Sequence, residues 1–421
     1  MKKSAERSAM LCNASIIAYL IWLLLPAVQT TGRAVTGLAC IMLFAAGVLL
    51  DWTYFKAHWR GLFARAACCA AMPLLMYFFL NRGAVFGGFY VQHAMFWFPL
   101  IYAGYARERG GKTLLRGVKW VLAGTVVITV CTTIGWLIQG MLRGGRIYAY
   151  SRSLGYAGEG REAYLKEMML RNIGGYDFVY AMVAALPLTC IGIQKYCGRN
   201  HVLLCVLLAL QTVMIVLSQY TYAMLYAAAL LAVEGTALIL RRLSKGRMGL
   251  GVSLLWGALP LLLAVILMQP LVQLAAGVCR SLGMNNFAFS FEQLLIALRG
   301  GVTSADSRLG YYLTALSGIA RSPLTGSMFS GEELLSGHSD VMDLLSGMGI
   351  LGAAAVGGMI FLMGRGALKG LKQCPYKAHL FLTAAAVLVT ASLGTVVYSR
   401  DIMAVAAIGT LLVLEGEEKR S

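Results

Sequence analysis

Of the five histidines in the sequence, His338 stands apart because it is the only one in a long polar stretch, just before an apolar run. The segment reads Gly337-His338-Ser339-Asp340, and Ser339 is predicted to cap a helix that starts there. The positive end of the helix dipole favours a neutral imidazole, which is the form that a general base needs. The alternative is a histidine that only caps or anchors the helix end.

Arginine is the second residue type that could do chemistry. If the apolar runs are membrane spans, 12 of the 24 arginines share the side of His338, whereas 11 of the 12 lysines lie opposite. A guanidinium presents a planar, permanently charged fork that suits diphosphate. The candidates on this side are Arg308 first, Arg171 second, and Arg321 and Arg280 as weaker ones. The alternative is ordinary pairing with nearby carboxylates.

Metal and disulfide chemistry are not expected. The sequence contains no HxxxH or HExxH spacing, and its ten cysteines include no CxxC pair. Nearly all the cysteines fall inside apolar runs or on the lysine-rich side, where they are predicted to be small packing residues; only Cys279 falls in a long polar loop. We therefore predict neither a metal site nor a cofactor.

The composition indicates which solvent surrounds these residues. Among 421 residues, 59% are hydrophobic and only 13% are charged, with a mean hydropathy of +0.72. Soluble domains carry about 25% charged residues, so lipid must solvate most of this surface. The net charge of +18 sits mostly at the ends of apolar runs, which indicates membrane topology rather than nucleic-acid binding.

Twelve apolar runs of spanning length predict an all-α polytopic membrane protein, a single membrane domain over residues 1–421. The runs are 9–29, 34–50, 62–80, 84–106, 117–140, 175–194, 201–218, 221–240, 249–268, 344–364, 378–396 and 401–415. The lysine distribution predicts that both termini are cytoplasmic. The charged residues that could do chemistry then lie on the external face.

Two long polar loops are predicted on that external face, at 141–175 and 269–340. In the first, Glu159–Arg171 has the pattern of a short amphipathic helix. In the second, Ser304 is predicted to cap a helix that ends near Arg321, before Pro323, and Ser290 a helix that ends near Arg299. Loops of this length in a membrane protein are usually functional.

The spacing of residues in the second loop resembles a known family. His338-Ser339, nine residues, and then Gly349-Ile350-Leu351-Gly352 is similar to the H-[NSQ]-x9-G-x-x-G signature of O-antigen ligases and O-antigen polymerase-like proteins. Arg308 and Ser322-Pro323-Leu324-x-Gly326 resemble the helix and turn that precede that signature. The specific motif covers about residues 304–352. One departure is Ser218-Gln219-Tyr220-Thr221-Tyr222, where many members carry an arginine.

The resemblance implies a GT-C-like fold and an inverting, metal-independent glycosyltransferase in the cytoplasmic (inner) membrane. Its donor would be a polyprenyl-diphosphate-linked glycan and its acceptor a glycan or a lipid-linked glycan, with a chain-length regulator as an additional partner. Arg308 and Arg171, then Arg321 and Arg280, would stabilise the leaving diphosphate. His338 would take the proton of the acceptor or orient it.

Three alternatives stay open beside the leading hypothesis, a repeat-unit polymerase. A ligase would transfer the finished chain to another acceptor. A transporter or flippase of lipid-linked sugars would need charged residues along the spans, where Glu234 is the only obvious carboxylate. A non-catalytic scaffold would leave the spacing of Arg308, the turn and His338 to chance.

Overall fold

The structure, a computed structural model, describes long continuous segments and isolated positions between them. The continuous segments are 2–57, 111–144, 161–218, 220–243, 268–281, 306–329, 339–371 and 376–393. The isolated positions are 67–68, 71, 98, 101–102, 105, 109, 252, 256, 288–289, 291–292, 295–296, 374, 401–402, 404–405 and 409.

Helix accounts for 93% of the described residues and no strand occurs among them, which confirms the all-α class. A 3-10 turn covers Gly326–Phe329. The α-helices with described bounds are α1 (Lys2–Leu24), α2 (Pro26–Leu50), α3 (Gly111–Gly144), α4 (Arg161–Leu170), α5 (Tyr176–Lys195), α6 (Arg199–Ser218), α7 (Thr221–Leu243), α8 (Met268–Ser281), α9 (Asp306–Arg321), α10 (Asp340–Leu371) and α11 (Lys377–Leu393).

Six of these helices are long and apolar enough to cross a membrane: α1, α3, α5, α6, α7 and α10. Helix α2 is bent by 90° between Gly32 and Val35 and is a seventh if its halves form one span. The predicted runs at 62–80, 84–106, 249–268 and 401–415 lie mostly outside the described residues. A multi-pass membrane protein is therefore supported, whereas the number twelve stays a prediction.

The first two helices divide at a different place from the predicted one. The sequence predicts a run at 9–29, but α1 ends at Leu24 and α2 begins at Pro26. Proline has no N–H and a fixed φ, so it suits the first position of a new helix and not the interior of the previous one. This boundary puts the N-terminus of α2 within reach of the first loop.

Small residues let α1 and α2 pack closely. The hydroxyls of Ser8 and Ser15 donate to the carbonyls of Gly47 and Cys40, each at 2.6 Å. A Cβ on Gly47 would lie 2.5 Å from Cys12 Sγ, so the cysteine occupies the space that the glycine leaves. The nine described cysteines are free thiols, as the packing interpretation predicts.

The central bundle has two ends that carry different chemistry. Helix α5 packs on α6, α7 and α11, α3 packs on α1 and α6, and α10 packs on α9 and α11. We call one end the Tyr176 end, where α5 and α7 begin and α6 finishes. The other is the Lys195 end, where α5 and α7 finish and α6 and α11 begin.

Candidate functional site

The structure describes only part of the predicted site. His338 lies outside the described residues, and Arg308 is described only as backbone in the first turn of α9. Arg171, Arg280 and Arg321 are described with their side chains. The site is therefore built from the elements that position these residues.

Arg171 lies where α4 ends in a capping turn. The N–H of Ile173 donates to the carbonyl of Met168, and that of Asn172 to the carbonyl of Met169, both at 3.0 Å. Asn172 has a φ of 56°, the left-handed conformation that this cap requires and asparagine tolerates. Of the helix predicted at Glu159–Arg171, the part over Arg161–Leu170 is confirmed, Glu159 lies outside the described residues, and Asn172 ends the helix before the glycines do.

Three hydrogen bonds attach this turn to two other helices. The side-chain oxygen of Asn172 accepts the N–H of Ala27, one of the unpaired donors in the first turn of α2, at 3.0 Å. On α3, the hydroxyl of Thr132 donates to the carbonyl of Asn172 at 2.6 Å. The neighbouring hydroxyl of Thr133 accepts the N–H of Gly174 at 2.8 Å. The backbone that carries Arg171 is therefore held in one position.

The guanidinium of Arg171 keeps much of its surface free. Its carbon lies 5.4 Å from the centre of the Trp136 ring, within the range of a cation–π contact. Glu167, one turn earlier, contacts it at 2.6 Å, and the two side chains are 52–55% exposed. An exposed pair of this kind contributes at most about 1 kcal/mol. An anion with more charge could therefore displace Glu167 at a small cost.

Replacing Asn172 should destabilise the protein in two separable steps. Asn172→Ala loses the bond to Ala27 and forces a Cβ-bearing residue into the left-handed region, with an expected cost of about 2–3 kcal/mol. Asn172→Gly relieves the backbone and loses only the side-chain bond, about 1 kcal/mol. In detergent, the thermal unfolding midpoint should be highest for wild type, lower for Asn172→Gly and lowest for Asn172→Ala. Equal midpoints for the two variants would contradict this account.

Helix α10 is broken at Gly349, and the turn after α9 fills the break. Gly349 has φ 64° and ψ −172°, a region that is essentially restricted to glycine. The break leaves the next backbone N–H groups without helical partners. Ile350 and Leu351 instead donate to the carbonyls of Pro323 and Leu324, at 2.9 and 3.1 Å. The two parts of the family-like motif, Pro-Leu-x-Gly and Gly-x-x-Gly, are thus in direct contact.

This contact requires glycine on both sides. A Cβ on Gly349 would lie 2.3 Å from the carbonyl oxygen of Leu324. A Cβ on Gly326, which has φ of +59°, would lie 2.5 Å from the carbonyl oxygen of Ser346. Backbone atoms cannot move aside as side chains do. The end of α9 is therefore held at one fixed position along α10.

The start of α10 lies at the Tyr176 end. Ser339 is fully buried and its hydroxyl accepts the N–H of Met342 at 3.2 Å, which confirms the predicted cap. Asp340 and Asp343 follow in the first turn and are each 8% exposed. Val341 packs against the same hydrophobic cluster as Tyr176. The residue immediately before Ser339 is His338, so the chain enters the candidate site here.

A cluster of tyrosines joins the starts of α5 and α7. The rings of Tyr176 and Tyr180 are 4.8 Å apart with hydroxyls at 3.3 Å, and Tyr220 packs edge-on against Tyr176 at 4.9 Å. The Tyr226 hydroxyl is closed off and has no hydrogen-bond partner among the described residues. Tyr312 of α9 lies near enough to Tyr226 to interact electrostatically. The ring contacts thus join α5 to the start of α7.

Sequence reasoning missed this cluster. Tyr176 and Tyr220 belong to separate elements, so no spacing could reveal that they meet. The available signal was only that each lies at the predicted external end of its helix.

The remaining two arginines are placed differently. Arg280 ends α8 and forms an ion pair with Glu292 of the same predicted loop. Burial raises the pKa of its neighbour Cys279, so that thiol is neutral. Arg321 ends α9 and is exposed, one residue before the turn that binds α10. Arg321 thus lies next to the turn that contacts α10, whereas Arg280 is paired with a carboxylate.

The described residues bring together a fixed Arg171, the start of α10 and the tyrosine cluster at one end of the bundle. They include no group of three or more metal-ligating side chains. No protein-family model matches the chain, and no curated protein matches it. The chemistry must therefore be argued from these residues.

Proposed function

We propose that the protein is a membrane glycosyltransferase that polymerises polyprenyl-diphosphate-linked oligosaccharides at the Tyr176 end. The observation that carries the proposal is the convergence of two elements that are far apart in sequence. The Arg171 turn, through Ile173, and the start of α10, through Val341, both pack on the hydrophobic cluster against which Tyr176 also packs. The motif resemblance supplies the reaction type, and the proposal includes about twelve spans in a GT-C-like arrangement.

We assign the Tyr176 end to the external face of the cytoplasmic membrane. Lys119 supports this orientation, because its amino group reaches the hydroxyl of Tyr196 at the opposite end, at 3.4 Å. Lys195 and Lys377 also lie at that opposite end, where α5 finishes and α11 begins. Lysines are concentrated on the cytoplasmic side of membrane proteins. Both termini are then cytoplasmic.

The proposed reaction needs no metal. An acceptor hydroxyl attacks the anomeric carbon of the donor, the bond from that carbon to the diphosphate oxygen breaks, and polyprenyl diphosphate leaves with the electron pair. His338 takes the acceptor proton, favoured as a neutral base by its position beside the N-terminus of α10. Arg308 and Arg171 stabilise the charge that develops on the diphosphate.

The tyrosine cluster supports a sugar substrate. Aromatic faces pack well on the apolar faces of sugar rings, and a buried hydroxyl such as that of Tyr226 needs a partner. Tyr220 lies in the segment where many members of the O-antigen ligase and polymerase-like family, which the motif resembles, carry an arginine. Because this segment offers an aromatic ring and no cation, the diphosphate is expected to bind to Arg171 and Arg308 instead.

Neutralising Glu167 should strengthen donor binding. Glu167→Gln removes the carboxylate that competes with diphosphate for Arg171, so KM for the donor should fall about 2- to 5-fold, as the energy of an exposed ion pair allows. Glu162→Gln is the matched control, an exposed carboxylate on the same helix α4. Steady-state kinetics at several donor concentrations measures the effect. An unchanged KM in Glu167→Gln would argue against Arg171 as a donor ligand.

The decisive experiment uses the purified full chain with a lipid-diphosphate-linked oligosaccharide and a chelator. Longer lipid-linked glycans and released polyprenyl diphosphate are expected. Transfer only to an added non-lipid acceptor would make the protein a ligase. Movement of intact lipid across vesicles without bond formation would make it a flippase and overturn the proposal.

A further inference from the structure

A second polar cluster lies at the Lys195 end, remote from the candidate glycan site. Glu234 of α7 and His379 of α11 are in contact, with Nδ1 2.5 Å from Oε1. The other ring nitrogen, Nε2, lies 3.3 Å from the side-chain nitrogen of Gln194 on α5. Three helices thus contribute one residue each to this triad, which we call the Glu234 triad.

The ionisable pair of the triad is closed off from solvent, whereas Gln194 is half-buried. His379 is fully buried and Glu234 is 6% exposed. The second carboxyl oxygen of Glu234 is also buried and has no hydrogen-bond partner among the described residues. A buried carboxylate with one oxygen unpaired is costly, and this cost falls when the pair holds a proton and is neutral overall.

Gln194 can satisfy His379 in either of two protonation states. If Nε2 is unprotonated, the amide NH₂ of Gln194 donates to it. If Nε2 carries a proton, the amide turns over and its oxygen accepts that proton. An amide can make this exchange without moving away. The triad is therefore suited to gain and to lose a proton while its hydrogen bond survives.

The surroundings of the triad are mostly apolar. Val233 and Ala237 of α7 pack against Ala378 and Leu382 of α11. The titratable groups that face the pair are Cys190 on α5, which interacts with Glu234, and Tyr376, whose ring stacks on His379 at 6.3 Å. Among the described residues, the interface around the triad is thus apolar apart from these groups and the hydroxyl of Thr383, which donates to the carbonyl of His379 at 3.2 Å.

Packing alone does not explain the triad. Apolar residues would join these helices at least as well. Ionisable groups within membrane-spanning helices usually have a functional role.

We propose that Glu234, His379 and Gln194 form a site that binds and releases one proton. The proton exchanges with water at the Lys195 end, where exposed Lys377 lies two residues from His379. The protonated, neutral triad holds α11 against α5 and α7; loss of the proton leaves a buried negative charge and loosens this contact. The proposal stands independently of the glycan chemistry at the other end.

Infrared difference spectroscopy on the purified full chain in nanodiscs tests the site. As the pH is lowered, a carboxylic C=O band from Glu234 should appear together with histidine ring changes. Glu234→Gln should remove this band, and Glu234→Asp, which keeps an ionisable group, should move it. His379→Gln should shift the pH at which this band is half-formed. Glu162→Gln, which changes an exposed carboxylate, should leave it intact.

The same variants should change how thermal stability depends on pH. The thermal midpoint of wild type should fall as rising pH deprotonates the triad. In Glu234→Gln, this fall should be absent. A pH difference spectrum that is identical in Glu234→Gln and wild type would overturn the proposal. If Glu234→Gln does not fold, a carboxylic band that stays at the same position in Glu234→Asp would also overturn the proposal.

Discussion

Replacing Gly349 with alanine is expected to abolish glycan polymerisation and to lower stability by about 3 kcal/mol or more. The new Cβ would meet the carbonyl of Leu324 at 2.3 Å, in a backbone conformation that alanine does not adopt. Either the turn leaves α10 or the break in α10 closes. Both changes move the start of α9, and with it Arg308, relative to the start of α10 beside His338.

Gly357 on the same helix provides the control. A Cβ there would meet nothing within 4 Å, so Gly357→Ala should retain activity and raise helix stability by up to about 1 kcal/mol. Gly326→Ala should behave like Gly349→Ala, because it forms the other side of the contact. Initial rates and thermal midpoints in detergent measure both effects. Normal activity in Gly349→Ala would show that the contact does not position the site.

The second large effect is expected from Arg308 and His338. Arg308→Ala should lower kcat by about 10²–10³-fold, as the loss of one charge-stabilising donor usually does. Arg308→Lys should fall in between, because lysine keeps the charge and loses the planar fork. His338→Ala should reduce kcat by about 10²–10⁴-fold, the range of a lost general base. Arg308→Ala and His338→Ala should each change KM for the donor less than Arg171→Ala does.

Arg280 is the matched control for these substitutions. It belongs to the same predicted loop, but it lies near the end of α8 and outside the motif at residues 304–352. Arg280→Ala should therefore change kcat less than about 5-fold, the limit for an exposed pair. Membrane insertion and thermal midpoint should match wild type in every variant. Full activity of both Arg308→Ala and His338→Ala would remove the proposed catalytic site.

The local elements around the site follow closely from the sequence. The helix predicted to end near Arg321 is α9, and the Ser339 cap and the short helix before Arg171 are also present. These features depend on signals within a few residues: a capping hydroxyl, an apolar stripe and a proline beyond the end. The predicted number of spans and the role of His338 depend on residues that the structure does not describe.

The sequence by itself predicted a helical membrane protein and an excess of arginine over lysine on one face, because composition and charge at helix ends are local properties. Only the tertiary structure decided that Gly326 meets Gly349, that tyrosines of α5 pack against Tyr220, and that Glu234 has a partner 145 residues away in His379. Such contacts arise from how helices pack against each other. Residue spacing along one helix carries no information about which residue of another helix will face it.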